Sequence, residues 1–178
     1  MASDTFGIFL NGSYGVGKSS VLDHLGDRFA EEELPFSLFD VDWFHRSWPS
    51  AADDPANVLT EAKNMRAVWN NYLETGPRTP IVAGVIESVE DARRYEEVFG
   101  RELRIVHLVA SPGVAEQRLR RRYDAGRADA LNWHLANHRR LVAVLAHADW
   151  HALTVDTDGL TPAQVAAAVF TALDPFRG

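Results

Sequence analysis

The chain has 178 residues, 46% of them hydrophobic and 24% charged, a balance suited to one globular domain with a sizeable core. It has no cysteine, which excludes disulfides, thiolate metal sites and a cysteine nucleophile and is in keeping with a reducing cytoplasm. A formal net charge of −7 argues against nucleic acid or an anionic membrane as partner, and neither a signal peptide nor an apolar run of the ~20 residues that span a bilayer is visible.

Phe6–Leu10 is a short apolar run that reads as a buried strand, and Val21, Leu22, Leu25 and Phe29 recur at helical spacing to about Glu33. Between them, residues 12 to 19 read Gly-Ser-Tyr-Gly-Val-Gly-Lys-Ser, a complete G-x-x-x-x-G-K-[ST] pattern in its required strand–loop–helix setting. The glycines let successive backbone N–H groups converge on phosphate oxygens beside the positive end of the next helix. Gly12, Ser13, Tyr14, Gly15, Val16, Gly17, Lys18, Ser19 and Ser20 are thereby expected to cradle a nucleoside triphosphate. Lys18 would reach the β- and γ-phosphates and the Ser19 hydroxyl would ligate Mg²⁺.

A second strand is expected at Phe36–Phe39, running into Asp40-Val41-Asp42, before a polar, proline-bearing stretch from Arg46 to Asn57. Leu59, Ala62, Met65, Val68, Trp69 and Tyr72 then mark one face of a helix that ends at Gly76-Pro77. Pro80–Ile86 is the third strand, Val89–Phe99 a short helix, and Leu103–Val109 a fourth, central strand. Ser111-Pro112 starts another helix, and two helical segments cover about 113–124 and 129–147 with Asp124–Arg127 between them. A fifth strand lies around Ala152–Val155, ending at Asp156. Thr161-Pro162-Ala163-Gln164 is a capping box that opens a last helix to about Leu173. Strands alternating with helices imply a parallel sheet between two helical layers, one α/β unit over residues 1–178.

The loop is shared by motors, GTPases, ATPases and small kinases. Asn-Lys-x-Asp, the guanine-reading tetrapeptide, is missing, and neither the third nor the fourth strand ends in an aspartate. The candidate carboxylates instead close the second strand, where Asp40 and Asp42, two apart, would share one side of it and face the carboxyl end of the sheet. One near Mg²⁺ and one near an acceptor hydroxyl would suit phosphoryl transfer to an alcohol.

On the phosphate loop, Asp40-x-Asp42 and Arg118-Leu119-x-x-Arg122, the chain resembles the small phosphate-loop kinases: the shikimate, gluconate and adenylylsulfate kinases and the chloramphenicol phosphotransferase group. The resemblance implies a three-layer P-loop NTPase fold with sheet order 2-3-1-4-5 and a small lid at about 118–134. It implies ATP and Mg²⁺ as cofactors, Lys18, Asp40, Asp42, Arg118 and Arg122 as catalytic residues, Ser19 and Asp40 at the metal, and Arg118 also at the nucleotide. Arg127 is a further lid candidate, while Arg120 and Arg121 are expected on the solvated face.

On the acceptor side, Asp42, Trp43, Arg66 and Glu87 are the candidate contacts, with Asn64, His45 and Trp48 nearby in the chain. An aromatic wall suits a base or an apolar ligand better than a small polar acid. His134 and His138 have i, i+4 spacing but lack an obvious third ligand, so a surface pair is expected. Asp156 and Asp158 are expected to do turn and capping work. The main expectation is a kinase acting on a hydroxyl of a small nucleoside-like or antibiotic-like acceptor, as a monomer or homodimer in the cytoplasm. The alternatives are a sugar-acid or adenylylsulfate-type kinase, a P-loop ATPase or switch without an acceptor, and a nucleic-acid end kinase, which the net charge disfavours.

Overall fold

Alternating apolar side chains give each strand two faces to bury, and the chain covers both. In a computed structural model that describes residues 6–123 and 125–174, β1 (Gly7–Asn11), β2 (Phe36–Asp40), β3 (Thr79–Ala83), β4 (Leu103–Val109) and β5 (Leu153–Asp156) form one parallel sheet. Its order is β2-β3-β1-β4-β5. The helices are α1 (Lys18–Glu31), α2 (Val58–Leu73), α3 (Val89–Phe99), α4 (Pro112–Arg122), α5 (Ala128–Leu145) and α6 (Pro162–Leu173). Asp124 lies outside the described residues.

Ile8 and Leu10 of β1, with Val106 and Leu108 of β4, pack against Leu22, Leu25 and Phe29 of α1 and Val169 and Phe170 of α6. Phe9, Val82 and Ile105 point the other way, onto Met65 and Trp69 of α2 and Tyr95 and Phe99 of α3. Trp69 also donates its ring N–H to the Phe99 carbonyl at 3.1 Å, so a large apolar side chain is buried with its one polar atom satisfied. Each fully buried Phe contributes about 2–3 kcal/mol. β1 is central, with Phe9 in register with Val82 of β3 and Ile105 of β4, so the loop that follows it opens where the strand order changes direction. That is where sheets of this type form a crevice.

Several boundaries differ from the sequence reading, each for a local reason. β2 ends at Asp40, whose carboxylate accepts the Asp42 N–H at 3.2 Å and turns Val41–Trp43 into a 3-10 turn. Asp40 and Asp42 therefore do not share one side of a strand. β3 stops at Ala83 rather than Ile86, because the Ile86 amide and carbonyl bond to the Asn11 side chain (2.9 and 3.0 Å) instead of to a strand. The buried stripe of α2 is Glu61, Met65 and Trp69, while Leu59 is 53% exposed. Glu61 is tolerated there because His45 Nδ1 and the Tyr95 hydroxyl meet its carboxylate at 2.9 and 2.7 Å. The polar stretch before α2 is ordered: Asp54 accepts from the Leu59 and Thr60 amides and the Thr60 hydroxyl, and the Asn57 amide donates to the His45 and Ser47 carbonyls. The capping box at Thr161 is formed as expected.

Candidate active site

The loop after β1 is fixed at its start by Asn11, which is fully buried. Its side-chain oxygen accepts the Gly12 and Ile86 amides, both at 2.9 Å, so one amide group joins the phosphate loop to the segment after β3. Gly15 lies against α4: a Cβ there would come within 2.7 Å of the Ala115 carbonyl oxygen. Gly17 has φ +96° and precedes α1 without a side-chain cap, and no atom lies within 4 Å of where a Cβ would project. A helix start without a side-chain cap leaves its first N–H groups, at the positive end of the helix, for another partner.

Lys18 and Ser19 occupy the first turn of α1. The Lys18 ammonium donates to the Gly12 and Ser13 carbonyls at 2.8 and 3.1 Å. Burial pushes its pKa down to about 8, against the opposing pull of Asp42 and Asp40. The Ser19 hydroxyl donates to Asp40 Oδ2 at 2.7 Å, across 21 positions of sequence. Asp40 therefore binds Ser19 with one oxygen and the Asp42 amide with the other.

These groups line a cavity of about 490 Å³ that takes in Tyr14–Val21, Asp40, Asp42, Arg118 and Arg122. Of the expected loop contacts, Gly12 and Ser13 lie beneath this surface rather than on it. Arg118 is a strut: it donates to the Thr157 hydroxyl and carbonyl, both at 2.9 Å, and to the Val16 carbonyl at 3.3 Å. It ties the phosphate loop to the turn after β5, where Asp156 and Asp158 do the capping work expected of them. Arg122 lines the cavity with its guanidinium 5.8 Å from the Tyr123 ring centre. Arg120 pairs with Glu116 on the surface, Arg121 is exposed, and Arg127 is exposed in a 3-10 turn at Ala125–Arg127.

The remaining acceptor-side candidates are dispersed. Trp43 is 73% exposed with Arg46 over its ring at 5.6 Å, and Trp48 is 92% exposed, so neither seals the core. His45 is engaged by Glu61 and Asn64 by the Phe44 carbonyl. Arg66 donates to the Glu97 carbonyl at the seam between α2 and α3 and does not line the cavity. Glu87 forms a two-armed ion pair with Arg140 of α5, at 2.5 and 2.8 Å.

Sequence reasoning missed His138. It is not on the surface: it is 4% exposed, and its Nδ1 lies 2.8 Å from both Ser13 Oγ and the Tyr14 carbonyl. Its neighbour His134 packs edge-on against the Tyr14 ring at 4.8 Å and lies 3.2 Å from the Tyr123 hydroxyl. The i, i+4 spacing marked these histidines as sharing a face, but nothing in the sequence said that this face meets the phosphate loop. Among the described residues no cluster of three potential metal ligands includes them.

No family model and no curated protein matches the chain. Solved structures do. A sugar kinase from Janibacter sp. HTCC2649 superimposes with a TM-score of 0.62 at 18% identity, covering 96% of this chain and 95% of that one. A gluconokinase from Sinorhizobium meliloti 1021 gives 0.61 at 17% identity, covering 97% and 94%. The tunicamycin resistance protein of Deinococcus radiodurans gives 0.58 at 21% identity, covering 94% and 95%. At these identities the likeness is one of fold. The chain has the three-layer α/β architecture of the small phosphate-loop kinases, with the sheet order expected from the sequence. Among the described residues no helix is long and apolar enough to cross a membrane.

Proposed function

We propose that this protein is a phosphotransferase that moves the γ-phosphate of ATP to a hydroxyl of a small molecule. The observation that carries this reading is the Ser19–Asp40 contact at 2.7 Å, on the wall of the cavity that Lys18, Asp42 and Arg122 also line. A hydroxyl and a carboxylate side by side are hard oxygen donors that suit Mg²⁺ shared with phosphate oxygens. The open space over Gly17 and the uncapped start of α1 suit the phosphates themselves.

In this reading the backbone N–H groups from Gly12 to Ser20 bind the phosphates, and the Lys18 ammonium moves from its loop carbonyls onto them. The low pKa of Lys18 is no obstacle, because phosphate charge stabilises the ammonium. Mg²⁺, held by Ser19 and Asp40, would neutralise charge on the transferring group. Asp42 takes the proton of the acceptor hydroxyl as its oxygen attacks the γ-phosphorus and the bond to ADP breaks. Arg122 stabilises charge on the moving phosphoryl group, and Arg118 holds the nucleotide side of the cavity in shape. The span 118–134 acts as a lid that excludes water, which would otherwise take the phosphate. The Tyr14 ring, which lines the cavity with Asp42, suits a nucleoside-like or antibiotic-like acceptor.

The test is ADP release with ATP and Mg²⁺ across nucleosides, sugars, sugar acids and antibiotics. Acceptor-dependent release that falls about 10²- to 10⁴-fold in Asp42→Asn, with nucleotide affinity kept, is the expected result. A flat profile over steady background hydrolysis would refute the transferase reading and favour an ATPase.

A further inference from the structure

We infer that His151, stacked on His107, is a positioning residue for the phosphate loop and acts through Asn11. Its Nε2 accepts the last hydrogen of the Asn11 amide and so holds that amide in the orientation that binds the Gly12 and Ile86 N–H groups. The inference rests on the part of the reading above in which this loop binds ATP.

Asn11 ends β1 and is fully buried, so its side-chain amide must find every partner inside the protein. Such an amide has two acceptor sites on oxygen and two donor hydrogens on nitrogen. The oxygen accepts the Gly12 and Ile86 N–H groups, both at 2.9 Å, which makes Nδ2 the donor. One Nδ2 hydrogen goes to the Ile86 carbonyl at 3.0 Å. The other has one partner among the described residues, His151 Nε2 at 3.3 Å. A ring nitrogen that accepts carries no proton, so His151 is neutral with its proton on Nδ1. All four positions of the Asn11 amide are filled only while His151 keeps that form.

The sheet brings these groups together. Asn11 of β1 is in register with His107 of β4, and the Ala152 N–H donates to the Ile105 carbonyl at 2.9 Å, which seats the residue before it, His151, beside the same strand. The two imidazoles stack at 4.3 Å with 27° between their planes, and Trp150 packs against the core next to them. Charge on either ring is disfavoured. Burial lowers both pKa values, and the His151 ring lowers that of His107 further, to about 4. Among the described residues no charged side chain shifts His151. The stack therefore keeps His151 an acceptor, whereas a protonated ring would turn an N–H toward the Asn11 NH₂ group. Without the acceptor a buried donor is left unpaired, and any turn of the Asn11 amide to relieve it releases the N–H of Gly12, where the phosphate loop begins.

The test compares the wild type with two variants. His151→Phe keeps a ring on His107 but has no acceptor, and His151→Gln offers a side-chain oxygen where Nε2 stood. Proton–nitrogen NMR of the wild type at neutral pH should show His151 protonated at Nδ1 and bare at Nε2. Hydrogen exchange at the Gly12 and Ile86 amides should speed up in the Phe variant by more than at Leu10, which follows overall stability, and should slow again in the Gln variant. A non-hydrolysable ATP analogue with Mg²⁺ should bind the Phe variant about 2- to 12-fold more weakly, the worth of one hydrogen bond, and should recover in the Gln variant. A wild-type His151 protonated at Nε2, a Phe variant that exchanges and binds like the wild type, or a Gln variant no better than Phe overturns the inference. The wild-type NMR result needs no variant to fold. A wild type that binds no ATP analogue strikes the reading above, while the tautomer and the exchange at Gly12 and Ile86 still decide the bond between His151 and Asn11.

Discussion

His138 offers the sharpest test of how the site is built. The Tyr14 carbonyl can only accept, so Nδ1 of His138 carries the proton, which it shares between that carbonyl and Ser13 Oγ. In His138→Leu, a replacement of similar volume, both acceptors lose their partner in a largely buried place. Each unsatisfied group costs about 1–3 kcal/mol, so the loss of both should be about 2–6 kcal/mol. For a domain of this size that is roughly 4–24 °C in melting temperature. The same change unpins the residues that shape the phosphate loop, and an ATP analogue should bind about 10-fold more weakly, the equivalent of roughly 1.4 kcal/mol. His138→Asn places an amide N–H where Nδ1–H stood and should recover most of both quantities. Thermal melts and calorimetric titration of the three proteins decide the matter. A Leu variant that melts and binds like the wild type, or an Asn variant no better than Leu, would refute the role of His138 as a positioning residue.

Two further outcomes follow from the same geometry. His107 and His151 stack at 4.3 Å, and burial, then the neighbouring ring, depresses the His107 pKa to about 4. Above pH about 6.5 this histidine is neutral folded or unfolded and adds nothing to the pH dependence. Between about 6.5 and 4 the unfolded chain takes up a proton that the folded one refuses. Stability should then fall, by about 3 kcal/mol for a fully buried ring and about half that for this half-buried one. Urea melts from pH 7.5 to 4.5 should show the loss in the wild type and a flatter profile in His107→Phe; equal slopes would count against the assignment. Arg118→Ala should raise the KM for ATP far more than it changes kcat, because it removes the strut between Val16 and Thr157 rather than a group at the reacting atoms. A kcat defect with unchanged KM would point to direct contact with the transferring phosphate.

The scaffold was legible because local rules and the fold agree. The loop motif, the buried strand before it and the amphipathic helix after it are short-range patterns, and the sheet order came with the resemblance they supported. The contacts that surround the loop were not legible, because they span long distances in sequence. Glu87 meets Arg140 across 53 positions and Ser13 meets His138 across 125. Spacing rules act within one helix or strand and are silent on which helix faces which loop. Asp40 and Asp42 show the same limit on a smaller scale. Both reach the cavity, but through a 3-10 turn that Asp40 itself nucleates and not through strand alternation. Glu61 misled the reading of α2 because a carboxylate on a buried stripe makes sense only once His45 and Tyr95 are seen to satisfy it.

The phosphate loop is held from three directions: by Asn11 from the segment after β3, by His138 from α5, and by Arg118 from the turn after β5. Each support uses side-chain polar atoms, and the segment after β3 and the turn after β5 also line the cavity. A loop whose backbone N–H groups must converge on phosphate cannot depend on glycine freedom alone, since that freedom has to be lost on binding. The three supports remove it beforehand. They also join distant parts of the chain, because Asn11 holds Ile86, next to Glu87, His138 shares α5 with Arg140, and Glu87 and Arg140 form an ion pair. A displacement of α5 would therefore be felt at the phosphate loop, through His138, and at the Glu87–Arg140 pair together.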